Sequence, residues 1–122
     1  MKRSGFTLVE LLVVLTVIGL LLAIVVPNYV GRVKTAEEAV LRENLLLMRD
    51  ALDKHYGDIG TYPKSLDELV AKRYLRSIPR DPITRAPNWL VVAPTDPQKG
   101  GVYDIHSTAK GSSANGTPYA QW

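Results

Sequence analysis

Residues 11–26 read LLVVLTVIGLLLAIVV, a run without charge in which Thr16 is the single polar side chain. Extended back to Phe6 the segment has 21 residues. At about 1.5 Å per residue a helix of that length crosses a hydrocarbon core of about 30 Å. No face of the run is polar enough to meet water, so it demands apolar surroundings on every side. The 46% hydrophobic content of the 122-residue chain is therefore unevenly spread. From Pro27 onward there remain roughly 95 more polar residues, near the lower edge of what one hydrophobic core supports unaided.

Several function classes are excluded by composition. The chain has no cysteine, so disulfides, thiolate metal sites and thiol catalysis are ruled out. Its net charge of +3 includes Lys2 and Arg3, and without them the remainder carries +1. Acidic and basic residues alternate through KTAEEAVLRE and LMRDALDK, the pattern of a solvated helix face, so no nucleic-acid partner is expected. His55 falls on an apolar helical stripe and His106 in a strand candidate, and Asp67 with Glu68 belongs to a helix start. None of the H-E-x-x-H, G-x-S-x-G or phosphate-loop motifs occurs, and the chain reads as a non-enzyme.

The apolar run is not a removable secretory signal. No small-residue cleavage site follows Val26, and Pro27-Asn28-Tyr29 leads into further helical sequence. Lys2 and Arg3 on the short leading side favour a cytoplasmic amino terminus and a single pass. Glu10 then stands out. A carboxylate at membrane depth costs about 2.5–3.5 kcal/mol even on lenient insertion scales, so it needs a partner or a function. Pro27 lacks the N–H that would reach the Ala23 carbonyl, which predicts a kink or local opening.

The stretch GFTLVELLVVLTVIGLLLAIVVPNY behind the basic leader MKRS resembles the class III signal of type IV pilins and type II secretion pseudopilins. The resemblance implies that a prepilin peptidase cuts after Gly5 and methylates the new amino terminus, Phe6. Residues 1–5 are then a removed leader, 6–26 a transmembrane and polymerisation helix, and 27–122 a soluble domain. Cutting frees an amino group on Phe6 that can pair with Glu10 of a neighbouring subunit; an intrachain contact across i,i+4 is the alternative. It further implies unwinding between Gly19 and Pro27 in the filament.

Beyond Pro27, Leu41, Leu45, Met48, Leu52 and His55 follow steps of four and three, one stripe on a helix expected to run to about residue 56, where GDIGTYP stops it. Ser65 and Glu68 form an S-x-x-E capping-box signature for a short helix over about 65–73. A proline-punctuated loop follows. Residues 88–93 and 102–107 are strand candidates for an antiparallel hairpin, and Tyr119 and Trp122 are expected to pin the tail. The expected fold is α+β and type IV pilin-like: a long kinked amino-terminal helix, half transmembrane and half amphipathic, packed on a small antiparallel β-sheet.

The succession of Gly60, Tyr62 and Pro63, then Leu69, Leu75, Pro79, Asp81 and Pro82, then Trp89, Tyr103, Asp104 and Ser107 resembles the family of major pseudopilins of type II secretion. That resemblance implies a homopolymer, a periplasmic pseudopilus that drives export of folded proteins across the outer membrane. It implies as partners the prepilin peptidase, minor pseudopilins, an inner-membrane platform and a cytoplasmic ATPase. The chain would sit in the inner membrane with its domain in the periplasm before joining the filament. A type IV pilin for adhesion, motility or DNA uptake is the alternative. Relatives carry a calcium site in a carboxy-terminal acidic loop; here no Asp or Glu follows Asp104 and Lys110 stands in the loop, so no cofactor is expected.

Overall fold

A computed structural model describes residues 5–122, so Lys2 and Arg3, with the membrane orientation read from them, lie outside the described residues. The elements are helix α1 (Leu8–Ile59), helix α2 (Leu66–Ala71), strand β1 (Leu90–Val92) and strand β2 (Asp104–His106). Single 3₁₀ turns occupy Pro97–Lys99 and Tyr119–Gln121. The chain divides into two compact units, one ending at Lys34 and the other Thr35–Trp122, and α1 belongs in part to each.

In the first unit α1 is helical through Gly19 and Pro27, and all side chains of residues 8–26 are exposed. An 18-residue window there has a mean hydropathy of 3.0 with none of it buried, long and apolar enough to cross a membrane. Residues 19–27 are helical in the single chain, and the unwinding expected there concerns the filament.

In the second unit the expected stripe forms the centre of the core. Leu41, Leu45, Met48, Ala51, Leu52 and His55 are all buried along one face of α1. Leu66, Leu69, Leu75, Trp89, Val102, Ile105, Ala109 and Tyr119 pack against it. Burying an aliphatic side chain of this size contributes about 1.5–3 kcal/mol, so a core this small depends on nearly every member.

The helix passes the expected stop at 56 and ends at Ile59. Gly57 is tolerated within it, and Gly60 ends it with φ +87° while its N–H donates to the Tyr56 carbonyl at 2.8 Å. That left-handed residue just beyond the last turn is where glycine is favoured. Helix α2, by contrast, is shorter than 65–73. Arg73 takes φ +66°, and the Tyr74 and Leu75 N–H groups both donate back to the Leu69 carbonyl.

The two strands pair antiparallel with Leu90 opposite His106, Val91 opposite Ile105 and Val92 opposite Asp104. They are three residues each, shorter than 88–93 and 102–107, because the flanking backbone is committed elsewhere. The Asn88 carbonyl accepts from Thr108 Oγ1 at 2.9 Å, and the Val102 N–H donates to Pro63 at 3.0 Å. Gly100 and Gly101 press against the same segment. A Cβ on Gly100 would fall 2.1 Å from the Tyr62 carbonyl oxygen and one on Gly101 2.5 Å from that of Lys64.

Polar residues of α1 anchor the loops, among them Arg42 and Arg49, which the sequence places on a solvated face. Asn44 donates to the Arg80 carbonyl at 2.9 Å. Arg49 donates through Nε to Asp104 at 2.8 Å and through Nη2 to the Ile105 carbonyl at 3.0 Å and to the Trp122 carbonyl. The Arg42 guanidinium lies 5.1 Å from the Trp122 ring centroid. The proline loop is organised by the fully buried Asp81. Its carboxylate accepts from the Ile83 N–H at 2.8 Å and from the Ser107 hydroxyl, so the charge is enclosed among donors.

Candidate assembly site

The residues singled out at the amino end occupy an open helix start. Phe6 is exposed, and a Cβ at Gly5 or Gly19 would meet nothing within 4 Å. Glu10 closes a capping box with Thr7. The Thr7 N–H donates to Glu10 Oε2 at 3.1 Å, and the Glu10 N–H donates to Thr7 Oγ1 at 3.1 Å. Two of the N–H groups that a helix start leaves unpaired are thereby satisfied, and the carboxylate lies at the end where the helix dipole favours negative charge.

This pairing differs from both partners weighed for Glu10 on sequence grounds. The acceptor works locally on Thr7, through one oxygen, and Oε1 meets no donor among the described residues. The T-x-x-E spacing was present to be read. The signature at Ser65 and Glu68 does not close: Ser65 makes no side-chain cap, and Glu68 accepts from the Lys64 N–H, one residue earlier. That bond and the ion pair with Lys72 at 2.9 Å hold the Glu68 carboxyl below its ordinary range.

Lower in the run, Thr16 donates its hydroxyl to the Leu12 carbonyl at 2.7 Å, so the one polar group among the apolar residues is satisfied within the helix. Pro27 is inside α1 and withholds one helix hydrogen bond. These residues lie along one exposed helix, so the segment presents a surface.

Neither histidine sits in a reactive arrangement. His55 is buried, and its Nδ1–H donates to the Thr61 carbonyl at 2.6 Å. Nε2 of that ring faces Lys72 Nζ at 3.5 Å. His106 Nε2 lies 3.9 Å from Asp104, whose other oxygen is held by Arg49. Among the described residues no group of three or more His, Cys, Asp or Glu side chains is placed to hold a metal ion. A cleft of about 420 Å³ is walled by Tyr56, Tyr62 and Tyr103, with rings stacked at 4.6 Å and edge-on at 5.4 Å. Lys99 is its one charged wall residue.

Comparison with known proteins bears on the amino end and on most of the chain. Residues 1–26 match the family described as the prokaryotic N-terminal methylation motif. The chain is similar to the type II secretion system core protein G of Aeromonas hydrophila, 32% identical over 97 residues, covering 66% of this chain and 68% of that one. It is 30% identical to the protein of that description from Escherichia coli over 122 residues, 87% of this chain and 81% of the relative. Against that of Pseudomonas aeruginosa, identity is 29% with 99% and 96% covered. No solved structure matches.

Proposed function

The chain belongs to the type II secretion system core protein G family and is a pseudopilin, a structural subunit of type II secretion, and on that premise we propose how its residues do the work. A membrane-embedded prepilin peptidase cuts between Gly5 and Phe6 and methylates the Phe6 amino group. The subunit waits in the inner membrane with its amino end cytoplasmic and the packed unit in the periplasm. It then polymerises through residues 6–26 into a pseudopilus that drives folded proteins across the outer membrane. Minor pseudopilins, an inner-membrane platform and a cytoplasmic ATPase supply initiation and energy, and no catalytic step is assigned to this chain.

The observation that carries this reading is the apolar helix itself. Every side chain of residues 8–26 is exposed, so the segment is satisfied first by lipid and afterwards by the same segment of other copies. Glu10 sets the register. With Oε2 held by Thr7, the carboxylate is oriented at the helix start and Oε1 is left to accept from the Phe6 amino group of a neighbour. Gly19 and Pro27 bound the stretch that unwinds on packing. Pro27 has already forgone one hydrogen bond, and glycine costs a helix about 1 kcal/mol relative to alanine.

Deleting the gene and comparing exoproteins with the periplasmic fraction tests the role. Exoproteins stranded in the periplasm are expected. Normal secretion with loss of surface pili or of DNA uptake would move the chain to the type IV pilins. Processing has its own test at Gly5, where a bulky side chain has open space in the fold. Such a variant should persist as uncut precursor, and normal cutting would refute the assigned site.

A further inference from the structure

The sequence resemblance implies a calcium site in the carboxy-terminal loop, and the donors present there do not fit one. Calcium takes six to eight oxygens at about 2.3–2.6 Å, with carboxylates prominent among them. The loop over residues 111–118 supplies no carboxylate. The one that reaches it is Glu38, from α1, and it is engaged. Glu38 Oε1 accepts from the Ala114 N–H at 3.1 Å and from the Tyr119 hydroxyl at 2.8 Å.

The loop's own oxygens are turned to its own donors. Asn115 Oδ1 accepts from the Ser113 hydroxyl and from the Thr117 N–H. The Ser113 N–H donates to the Thr117 carbonyl at 2.8 Å, the Gly116 N–H to the Ser113 carbonyl at 2.9 Å, and the Tyr119 N–H to the Gly111 carbonyl at 3.2 Å. Ser112 and Pro118 face each other in a β-bridge. Lys110 adds a positive charge immediately before the loop. A cation entering here would have to break these internal bonds, and the carboxylate that faces the loop, Glu38, already serves two donors through Oε1.

We infer that Glu38 closes the carboxy-terminal loop of this chain in place of a metal ion, as an acceptor fixed on α1 that holds the Ala114 N–H and the Tyr119 hydroxyl together. Glu38 lies one helical turn before Leu41, the first buried member of the stripe, so the clasp stands on a rigid element. Tyr119 is buried in the core and meets the Trp122 ring edge-on at 5.5 Å. Loop closure and core packing therefore share a residue. Clasp and loop both lie within Thr35–Trp122, so the inference is independent of how the amino-terminal helix assembles.

Trypsin supplies the test, because Lys110 is exposed at the edge of the loop and cutting after it releases residues 111–122. The full chain in detergent micelles is digested in excess EDTA and, separately, in millimolar calcium, and release of that peptide is timed by mass spectrometry. The wild-type rate should be the same in both media. Glu38→Ala should release the peptide about tenfold faster in both, as expected when cleavage follows the population of the open loop and two hydrogen bonds to a carboxylate are lost. Tyr119→Phe keeps the ring and removes one of the two donors, with about a fivefold rise expected. It carries the test if Glu38→Ala does not fold. Severalfold protection of the wild type by calcium would overturn the inference, and so would an unchanged rate in Tyr119→Phe.

Discussion

Residues 8–26 and residues 41–55 are parts of one helix that differ in where their apolar side chains go. In the first, leucine, valine and isoleucine occur on every side, and all are exposed. In the second, apolar residues recur at steps of three and four, and Leu41, Leu45, Met48 and Leu52 are buried. Hydrophobicity alone thus does not make a core. A stripe is satisfied by one packed layer, whereas a helix apolar all round needs surroundings that one small domain cannot furnish. The polar residues differ in the same sense: Glu38, Asn44 and Arg49 hold loops of their own unit, while Glu10 bonds only locally, to Thr7 at the start of its own helix, among the described residues.

The largest effect should come from the Glu10 carboxylate. Glu10→Ala removes both the cap and the charge, whereas Glu10→Gln keeps an acceptor for the Thr7 N–H, as glutamine does in capping boxes. Both variants should abolish filaments seen by electron microscopy while leaving the thermal unfolding of the packed unit unchanged. Filaments from the glutamine variant alone would assign Glu10 to capping and remove the charge pairing. Next comes the core. Leu45→Ala and Leu52→Ala should each cost about 2–5 kcal/mol of unfolding free energy, and Leu15→Ala less than about 0.5 in the same melt. A comparable loss at Leu15 would break the division between the two regions.

Legibility followed the range of the interaction. The stripe is periodic, the membrane-length run is continuous, and the hairpin strands are rich in β-branched and aromatic residues on either side of a Gly-Gly turn, so single residues could not obscure them. Capping boxes are short patterns whose outcome depends on backbone entry. T-x-x-E closed at Thr7, where the pattern went unread; S-x-x-E, which was read, left Ser65 idle. The helix ends at Ile59 and not near 56 because either of two glycines, Gly57 or Gly60, could have taken the left-handed turn, and Gly60 does. The Glu38 clasp joins residues 76 positions apart, and Asp81 meets Ser107 across 26. Nothing local marks either pair, which is why charged residues on α1 read as solvent-facing.

A smaller effect separates the regions by pH. Burial first, and then the hydrogen bond to Glu38, push the Tyr119 phenol up to about 12 from an ordinary value near 10.0. The folded chain therefore keeps this proton where the unfolded chain loses it. The stability involved is fully present below about pH 10 and is lost as pH rises through about 12. Melting temperature should fall steeply across that interval, and Tyr119→Phe should flatten the fall. Tyr62 and Tyr74, also raised, account for a residual slope. Helicity of residues 8–26, which contain no tyrosine, should not change with it.

The finest contrast is between Gly19 and Gly60. At both, an added Cβ would meet nothing within 4 Å, so alanine tests the backbone and not the packing. Gly60 has φ +87° and ends α1, whereas Gly19 is helical. Gly60→Ala should therefore cost about 1 kcal/mol in the melt of the packed unit, the penalty of a left-handed alanine. Gly19→Ala should leave that melt alone and strengthen its own helix by about 0.5–1 kcal/mol. If residues 19–27 unwind in the filament, the same gain opposes assembly. Polymerisation should then slow by roughly two- to fivefold, with membrane insertion unaffected. Filaments that grow at the wild-type rate from Gly19→Ala would mean that this stretch stays helical after packing, and Pro27 alone would have to accommodate any bend.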